Sequence, residues 1–347
     1  MELKSSVFGY IGNQAEVKLY ELINNNGVHV KITNYGAIVT SIITPDRKGK
    51  FEEITLGFDS LSPYLGTHPY FGAVCGRYAN RIAKGKFSID GYIYGLNLND
   101  GQNTLHGGIE GFDKKVWTVT KENNNGEKIG IVMTYASKDM EEGYPGTLKV
   151  RVSYQLTNLN EFIIEYDAET DKPTVLNLTN HTYFNLNSCK KAILDHEVMI
   201  NADNYTPVDA TLIPTGEIAK VANTALDFRH AKKVGKDFSK LKNGYDHNFV
   251  INKTGSELGL AARVVDEESG RSMEVHTTEP AVQLYTGNFL DGALIGHHNV
   301  AYKKNYGLCL ETQHYPDSPN HPSFPTTLLR PGEHYHQKTR YTFGIMV

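Results

Sequence analysis

The sequence predicts an all-β protein, a large antiparallel sandwich or barrel with few short helices. Three observations carry this expectation. Apolar residues recur with period two along much of the chain, the pattern of half-buried strands. The runs are separated by tight-turn sequences such as Asp90-Gly91 and Asn158-Leu159-Asn160, the residues that tolerate hairpin backbone angles. Helical periodicity is scarce, while Gly (32) and Tyr (21) are abundant, as many turns and half-buried strands require.

Taken in order, Val28, Val30 and Ile32 alternate with less apolar partners. After Asn34-Tyr35-Gly36 a second apolar run, Ala37 to Ile43, stops at the turn sequence Pro45-Asp46-Arg47-Lys48-Gly49. Phe87 and Ile89 lead into Asp90-Gly91, with Tyr92 and Tyr94 beyond it, which predicts a hairpin. Asn123-Asn124-Asn125-Gly126 reads as a loop tip between strands. Leu148, Val150, Val152, Tyr154 and Leu156 form a long alternating strand, turned at Asn158-Leu159-Asn160 and returned by Phe162, Ile164 and Tyr166. Val264 and Val265 approach Ser269-Gly270, and Met273 and Val275 follow. Short helices are expected only around Ser60–Leu65 and Ala231–Leu241.

With 347 residues the chain exceeds a typical domain, but all-β folds run to this length as single units. No linker, low-complexity tract or repeat interrupts it, so residues 1–347 read as one domain. Acidic residues number 39 and basic ones 35, a formal net charge of -4, which argues against a nucleic-acid partner. No apolar stretch approaches the length of a membrane span, and Met1 to Tyr20 lacks the apolar centre of a signal peptide. Cys75, Cys189 and Cys309 are few, odd in number and widely spaced. They suggest neither a zinc knuckle nor a disulfide framework, and a reducing, cytoplasmic compartment fits.

Five segments mix polar, charged and glycine residues with aromatics. In Gly76-Arg77-Tyr78-Ala79-Asn80-Arg81-Ile82, Asn80 and Arg81 suit hydrogen bonds to hydroxyls; the plainer reading is a surface loop with two solvated arginines. In Asn103-Thr104-Leu105-His106-Gly107-Gly108, two glycines beside a histidine let backbone or ligand approach closely; the alternative is a tight turn with an exposed histidine. His181, within Asn177 to Leu186, has Asn, Thr and Tyr neighbours able to fix an imidazole for proton transfer. A core histidine satisfied by backbone is the other reading. Asp246 in Gly244-Tyr245-Asp246-His247-Asn248-Phe249 suits a sugar hydroxyl or a simple turn. An apolar run, Leu308-Cys309-Leu310, delivers Glu311 to what reads as a strand end before a proline-rich loop. A carboxylate there is costly unless paired or functional.

Together these stretches, GRYANRI, NTLHGG, NHTYFNL, GYDHNF and LETQHYPDSPNHP, resemble the galactose mutarotase (aldose 1-epimerase) family. VQLYTGNFLDG, which holds Gln283, and the closing LRPGEHYHQKTRYTFG agree, and the resemblance covers nearly the whole chain. It implies a large antiparallel β-sandwich, the mutarotase supersandwich, with an open cleft for a free hexose. It puts the base at Glu311 and the acid at His181, with His106, Arg81, Asn80, Asp246 and Gln283 holding the sugar. Tyr78 departs from the small aliphatic residue expected within GRxANRI and bears on the cleft edge; Asn177-Leu178-Thr179 before Asn180 is also less usual.

The implied reaction opens and closes a hexose ring to exchange α and β anomers. Glu311 takes the C1 hydroxyl proton while His181, as imidazolium, protonates the ring oxygen. Ordinary values of about 4.3 for Glu and 6.5 for His permit this pairing near neutrality, and a nearby carboxylate is expected to raise the histidine further. No cofactor and no metal is called for. Three rivals remain: a hexose-6-phosphate 1-epimerase of the same fold, a non-catalytic sugar-binding module, and a cupin-type metal enzyme using His334 and His336 of Glu333-His334-Tyr335-His336. Galactose against glucose, and monomer against homodimer, stay open at this point.

Overall fold

Alternation along Leu148–Thr157 and Glu161–Thr170 puts Val150, Val152, Tyr154, Ile164 and Tyr166 on one buried face, while Lys149, Arg151 and Glu169 point to solvent. In the computed structural model, which describes residues 1–12 and 15–346, these two strands pair in register across the predicted turn. They belong to a nine-stranded antiparallel sheet that the chain closes with Tyr335–Ile345 between Glu161–Thr170 and Arg271–Thr277. The predicted Gly259–Val265 and Arg271–Thr277 hairpin is part of the same sheet. A five-stranded sheet, Glu2–Ile11 to Phe51–Glu53, covers one end of the core with Leu22, Val30, Ile32, Val39 and Ile42.

The sheet that builds the site has six strands. Its order runs Tyr183–Phe184, Leu308–Gln313, Ala281–Tyr285, Asp246–Val250, Asn204–Thr206 and Ala219–Lys220. Leu308, Leu310, Val282, Leu284 and Phe249 turn inward and pack in one core with Tyr341, Met273 and Val275 of the nine-stranded sheet. Thr312 Oγ1 also meets Thr339 Oγ1 at 2.6 Å across that core. Strand periodicity then forces Cys309, Glu311, Gln283, Tyr285 and Asp246 to the opposite face. Apolar burial on one face thus aims the chemistry on the other.

Helix is confined to short pieces. Ser62–Leu65 is a single α-turn with proline in its first positions, and Val234–Lys240 is a run of 3-10 helix; both fall where short helices were expected. Among the described residues no helix is long and apolar enough to cross a membrane.

Candidate active site

The outward face of the six-stranded sheet floors a cleft of about 1010 Å³. Its wall includes Asn80, Arg81, His106, His181, Asp246 and Glu311. Six of the seven candidate residues therefore converge, from five separate stretches of chain.

His181 and Glu311 meet through strand register. Tyr183 pairs with Cys309 in an antiparallel ladder, so two residues before Tyr183 and two after Cys309 His181 lies beside Glu311. His181 Nε2 is 3.5 Å from Glu311 Oε1, and both side chains are nearly inaccessible. The backbone of His181 is held by Gly72 and Ala73, at 3.0 and 2.9 Å. Tyr183 lies under its ring, 5.0 Å away and within 26° of parallel, and Cys309 Sγ touches Nδ1 at 3.5 Å. Glu311 stands inside the strand Leu308–Gln313 rather than at its end.

Burial governs the electrostatics. It pushes His181 down to about 4 and pushes Glu311 well above the usual carboxyl range, with the Asp246 charge adding to the rise and Arg81 opposing it. The expectation that a carboxylate would raise His181 fails here: loss of water dominates, the His68 ring adds to the fall, and Glu311, itself pushed toward its neutral form, supplies no raising charge. In the empty cleft both groups favour their neutral forms. A neutral carboxyl beside a neutral imidazole holds the same number of protons as a carboxylate beside an imidazolium.

His106 is fixed by a reciprocal clamp. Its N–H donates to Asn80 O at 3.1 Å, and the Asn80 N–H donates to His106 Nδ1 at 3.2 Å. Both residues have left-handed backbone, φ +50° and +62°, a cost on the order of 1–3 kcal/mol for a non-glycine residue, with Asn the most tolerant. Gly107 is required by close approach, since a Cβ there would fall 1.9 Å from Gly76 O. A backbone N–H can only donate, so His106 Nδ1 keeps its lone pair and the neutral ring carries hydrogen on Nε2. Burial, with His181 and Arg81 nearby, holds His106 well below its ordinary value. It is a neutral donor facing the cleft.

Donor atoms of His106, His181 and Glu311 all lie within 4.8 Å of one another, a spacing a metal ion could occupy. The clamp disfavours that use. Metal binding through Nε2 of His106 would move its hydrogen to Nδ1, against the Asn80 N–H. The HxH pair fares no better: His334 and His336 share Asp167 on the outer face of the nine-stranded sheet, where Arg151 already sits 3.2 Å from that carboxylate.

The two arginines of GRYANRI part company, and neither is solvated. Arg77 is 2% exposed and donates to Ser137 Oγ and to the carbonyls of Ser137, Lys138 and Pro145. It anchors the segment. Arg81 faces the cleft with Nε on Asp100 Oδ2 at 2.7 Å. Tyr78 is fully buried, with its hydroxyl on Tyr315 O at 3.3 Å, and does not edge the cleft. Asn177 stitches the same region, donating to Ala79 O and accepting from His314 N.

Gln283 also differs from expectation. It is 4% exposed, lies opposite Glu311 in the ladder, and donates through Nε2 to Asp246 Oδ1 at 2.6 Å. It stands behind Asp246 rather than on the wall. Residues that the sequence reading missed include Tyr70, 4.6 Å from the His106 ring, and Phe289, which is 70% exposed at the mouth beside Tyr285. The turn Asp209–Ile213, tied by Asp209 Oδ1 to Thr211 and Ile213, completes the rim. Aromatics flanking the motifs, as in His68-Pro69-Tyr70-Phe71, were the available signal.

Comparison with known proteins bears directly on this arrangement. The family model described as aldose 1-epimerase matches residues 18–342. The galactose mutarotase of Sus scrofa is 47% identical over 98% of both chains, and that of Homo sapiens is 49% identical over 92% of both. The crystal structure of galactose 1-epimerase from Lactobacillus acidophilus superposes with a TM-score of 0.88 at 30% identity, covering 100% of this chain and 99% of that one. A match that spans the core, the floor and every segment of the cleft leaves one assignment: the chain belongs to the aldose 1-epimerase family.

Proposed function

We propose that this enzyme interconverts the α and β anomers of free hexoses, D-galactose and D-glucose, by opening and reclosing the ring between Glu311 and His181. The observation that carries the reading is one buried carboxyl and one buried imidazole, 3.5 Å apart, on the floor of a polar cleft. Glu311 as carboxylate takes the proton of the C1 hydroxyl, the C1 to ring-oxygen bond breaks, and His181 as imidazolium protonates that oxygen. The step turns an ion pair into two neutral groups, the forms that burial favours in this cleft. Rotation about C1–C2 and the reverse transfers close the ring on the other face.

The remaining residues bind and orient. His106 donates from Nε2 to a sugar oxygen. Arg81, pinned by Asp100, and Asn80 beside it offer donors to hydroxyls, and Asp246 accepts from them. Gln283 acts through Asp246. Asp100, Asp209 and Asp246 outnumber Arg81 and Lys84 on the wall, which disfavours a phosphorylated hexose. The acid and base together disfavour a mere binding module. One core shared by all three large sheets supports residues 1–347 acting as one domain. Three buried, unpaired cysteines suit a cytoplasmic setting.

The test is polarimetry on freshly dissolved α-D-galactose and α-D-glucose. The wild type should speed the approach to anomeric equilibrium and a folded Glu311→Gln should not. Wild-type turnover by Glu311→Gln overturns the assignment.

A further inference from the structure

One row across the central strands of the six-stranded sheet is polar. Asn248 pairs with Gln283, Gln283 with Glu311, and His181 follows beside Glu311. Directly opposed residues in such a ladder place their Cβ atoms roughly 4.5–5.5 Å apart. In this row Gln283 Oε1 and Glu311 Oε2 are both buried, and neither has a hydrogen-bond partner among the described residues.

The orientation of the Gln283 amide is not free. Its Nε2 donates to Asp246 Oδ1 at 2.6 Å, which commits Oε1 to the other side as an acceptor. Two acceptor oxygens on neighbouring residues, both shut away from water, repel unless a hydrogen lies between them. We propose that in the empty enzyme Glu311 is a neutral acid whose Oε2–H donates to Gln283 Oε1, so that Gln283 is the positioning residue that stores the catalytic proton. The inference rests on the acid and base roles given above to His181 and Glu311.

That single proton joins the Glu311 carboxyl to the Gln283–Asp246 hydrogen bond on the floor. In the neutral tautomer able to take up that proton, His181 Nδ1–H faces Cys309 Sγ at 3.5 Å and Nε2 keeps its lone pair. His181 Nε2 lies 3.5 Å from Glu311 Oε1, Glu311 Oε2–H donates to Gln283 Oε1, and Gln283 Nε2 donates to Asp246. Burial keeps the Cys309 thiol protonated and favours neutral Glu311 and neutral His181, in agreement. Asp246 near Glu311 also favours a protonated carboxyl, Arg81 opposes it, His106 is neutral, and Cys75, Tyr183, Tyr285 and Tyr341, which also face it, are kept protonated by burial. When sugar binds, the stored proton passes to His181 and gives the carboxylate and imidazolium that ring opening uses. No proton enters or leaves the cleft.

Difference infrared spectroscopy of the full-length protein, without sugar, reads the state of Glu311. The empty wild type near neutrality should show a protonated-carboxyl C=O stretch that shifts in D₂O and is missing from Glu311→Gln. In Gln283→Met, which removes the amide oxygen at similar volume, the band should change frequency. Its titration midpoint should fall by about one pH unit, the worth of one lost hydrogen bond to the neutral form. If Gln283→Met does not fold, Gln283→Asn retracts the amide by one methylene and must also move the band. Absence of the band in wild type, as a water bridging a carboxylate to Gln283 would produce, overturns the inference. So does a band with unchanged frequency and midpoint in the Gln283 variant. Either result leaves Glu311 as base standing, whereas full turnover by Glu311→Gln removes that role whatever the band does.

Discussion

Two buried histidine–carboxylate pairs each draw one member from the short stretch Glu311–His314, and their geometries differ. His314 Nδ1 sits 2.6 Å from Glu279 Oε2, with both side chains buried. His181 Nε2 sits 3.5 Å from Glu311 Oε1, more deeply buried still on the histidine side. Burial lowers both histidines. At 2.6 Å the Glu279 charge and contact win, and His314 is raised; at 3.5 Å burial wins, and His181 falls to about 4. Tyr335 also donates to Glu279 Oε1 at 3.2 Å. Less than 1 Å separates a structural ion pair from two neutral groups ready to exchange protons with a ligand.

The largest effect expected from this contrast is catalytic. Glu311→Gln and His181→Asn should each lower kcat on the order of 10² to 10⁴, the worth of a positioned proton-transfer group, with folding intact by circular dichroism. Polarimetric turnover near wild type in either variant would erase the distinction between the pairs. Glu279→Ala should do the reverse. It strands His314 in the interior and should cost about 3–5 kcal/mol in urea unfolding, while kcat of the folded protein stays at the wild-type value.

Asp246→Ala comes next. A charge-assisted hydrogen bond is worth roughly 1.5–3 kcal/mol, or about ten- to a hundredfold in kcat/KM, carried mainly by KM. On the deoxy-sugar that lacks the hydroxyl bound by Asp246, variant and wild type should converge. An equal loss on every deoxy-sugar would show that Asp246 holds no hydroxyl.

The pH dependence of stability tests the same electrostatics more gently. Burial pushes His181, His68 and His196 down to about 4. Their ordinary value is about 6.5, so the unfolded chain takes up their protons first. Their contribution is therefore complete above about pH 6.5 and fades as pH falls toward 4. His314 runs the other way: its contribution is complete below about pH 6.5 and is lost as pH rises through its elevated folded value. Urea midpoints should drop on the acid side, less steeply in His181→Asn. An identical acid slope in that variant would contradict its depressed value. The smallest effect expected is from chelation. Because the Asn80 clamp commits His106 to donating, prolonged EDTA treatment should leave turnover unchanged; loss restored by zinc would reverse that argument.

Much of the core was legible because one-sided burial leaves period two in the sequence, as in Leu148–Thr157 and Glu161–Thr170. Glu2–Ile11 was not. It is an edge strand with exposed and half-buried positions mixed, so it carries no clean alternation. The strand Leu308–Gln313 is buried on both faces, which blurred its end and put Glu311 one turn of the pleat too far out. At the site, residue types announced themselves through motifs, but their division of labour did not. Arg77 and Arg81 look alike in sequence, and only the fold sends one inward and one to the cleft. The place of Gln283 behind Asp246 depends on register, and the depressed value of His181 depends on a distance. Neither quantity is written in a linear string.

The rim of the cleft belongs to different pieces of chain from its floor. Phe289 and the Asp209–Ile213 turn stand on loops, while His181, Glu311 and Asp246 ride on or beside strands of one sheet. Such loops accept sequence change more readily than the strands they cap. For anyone redesigning this enzyme, substrate choice and proton chemistry are therefore separable targets. A combinatorial library at 209–213 and 289 can search for new sugars without disturbing the proposed proton-transfer residues on the floor.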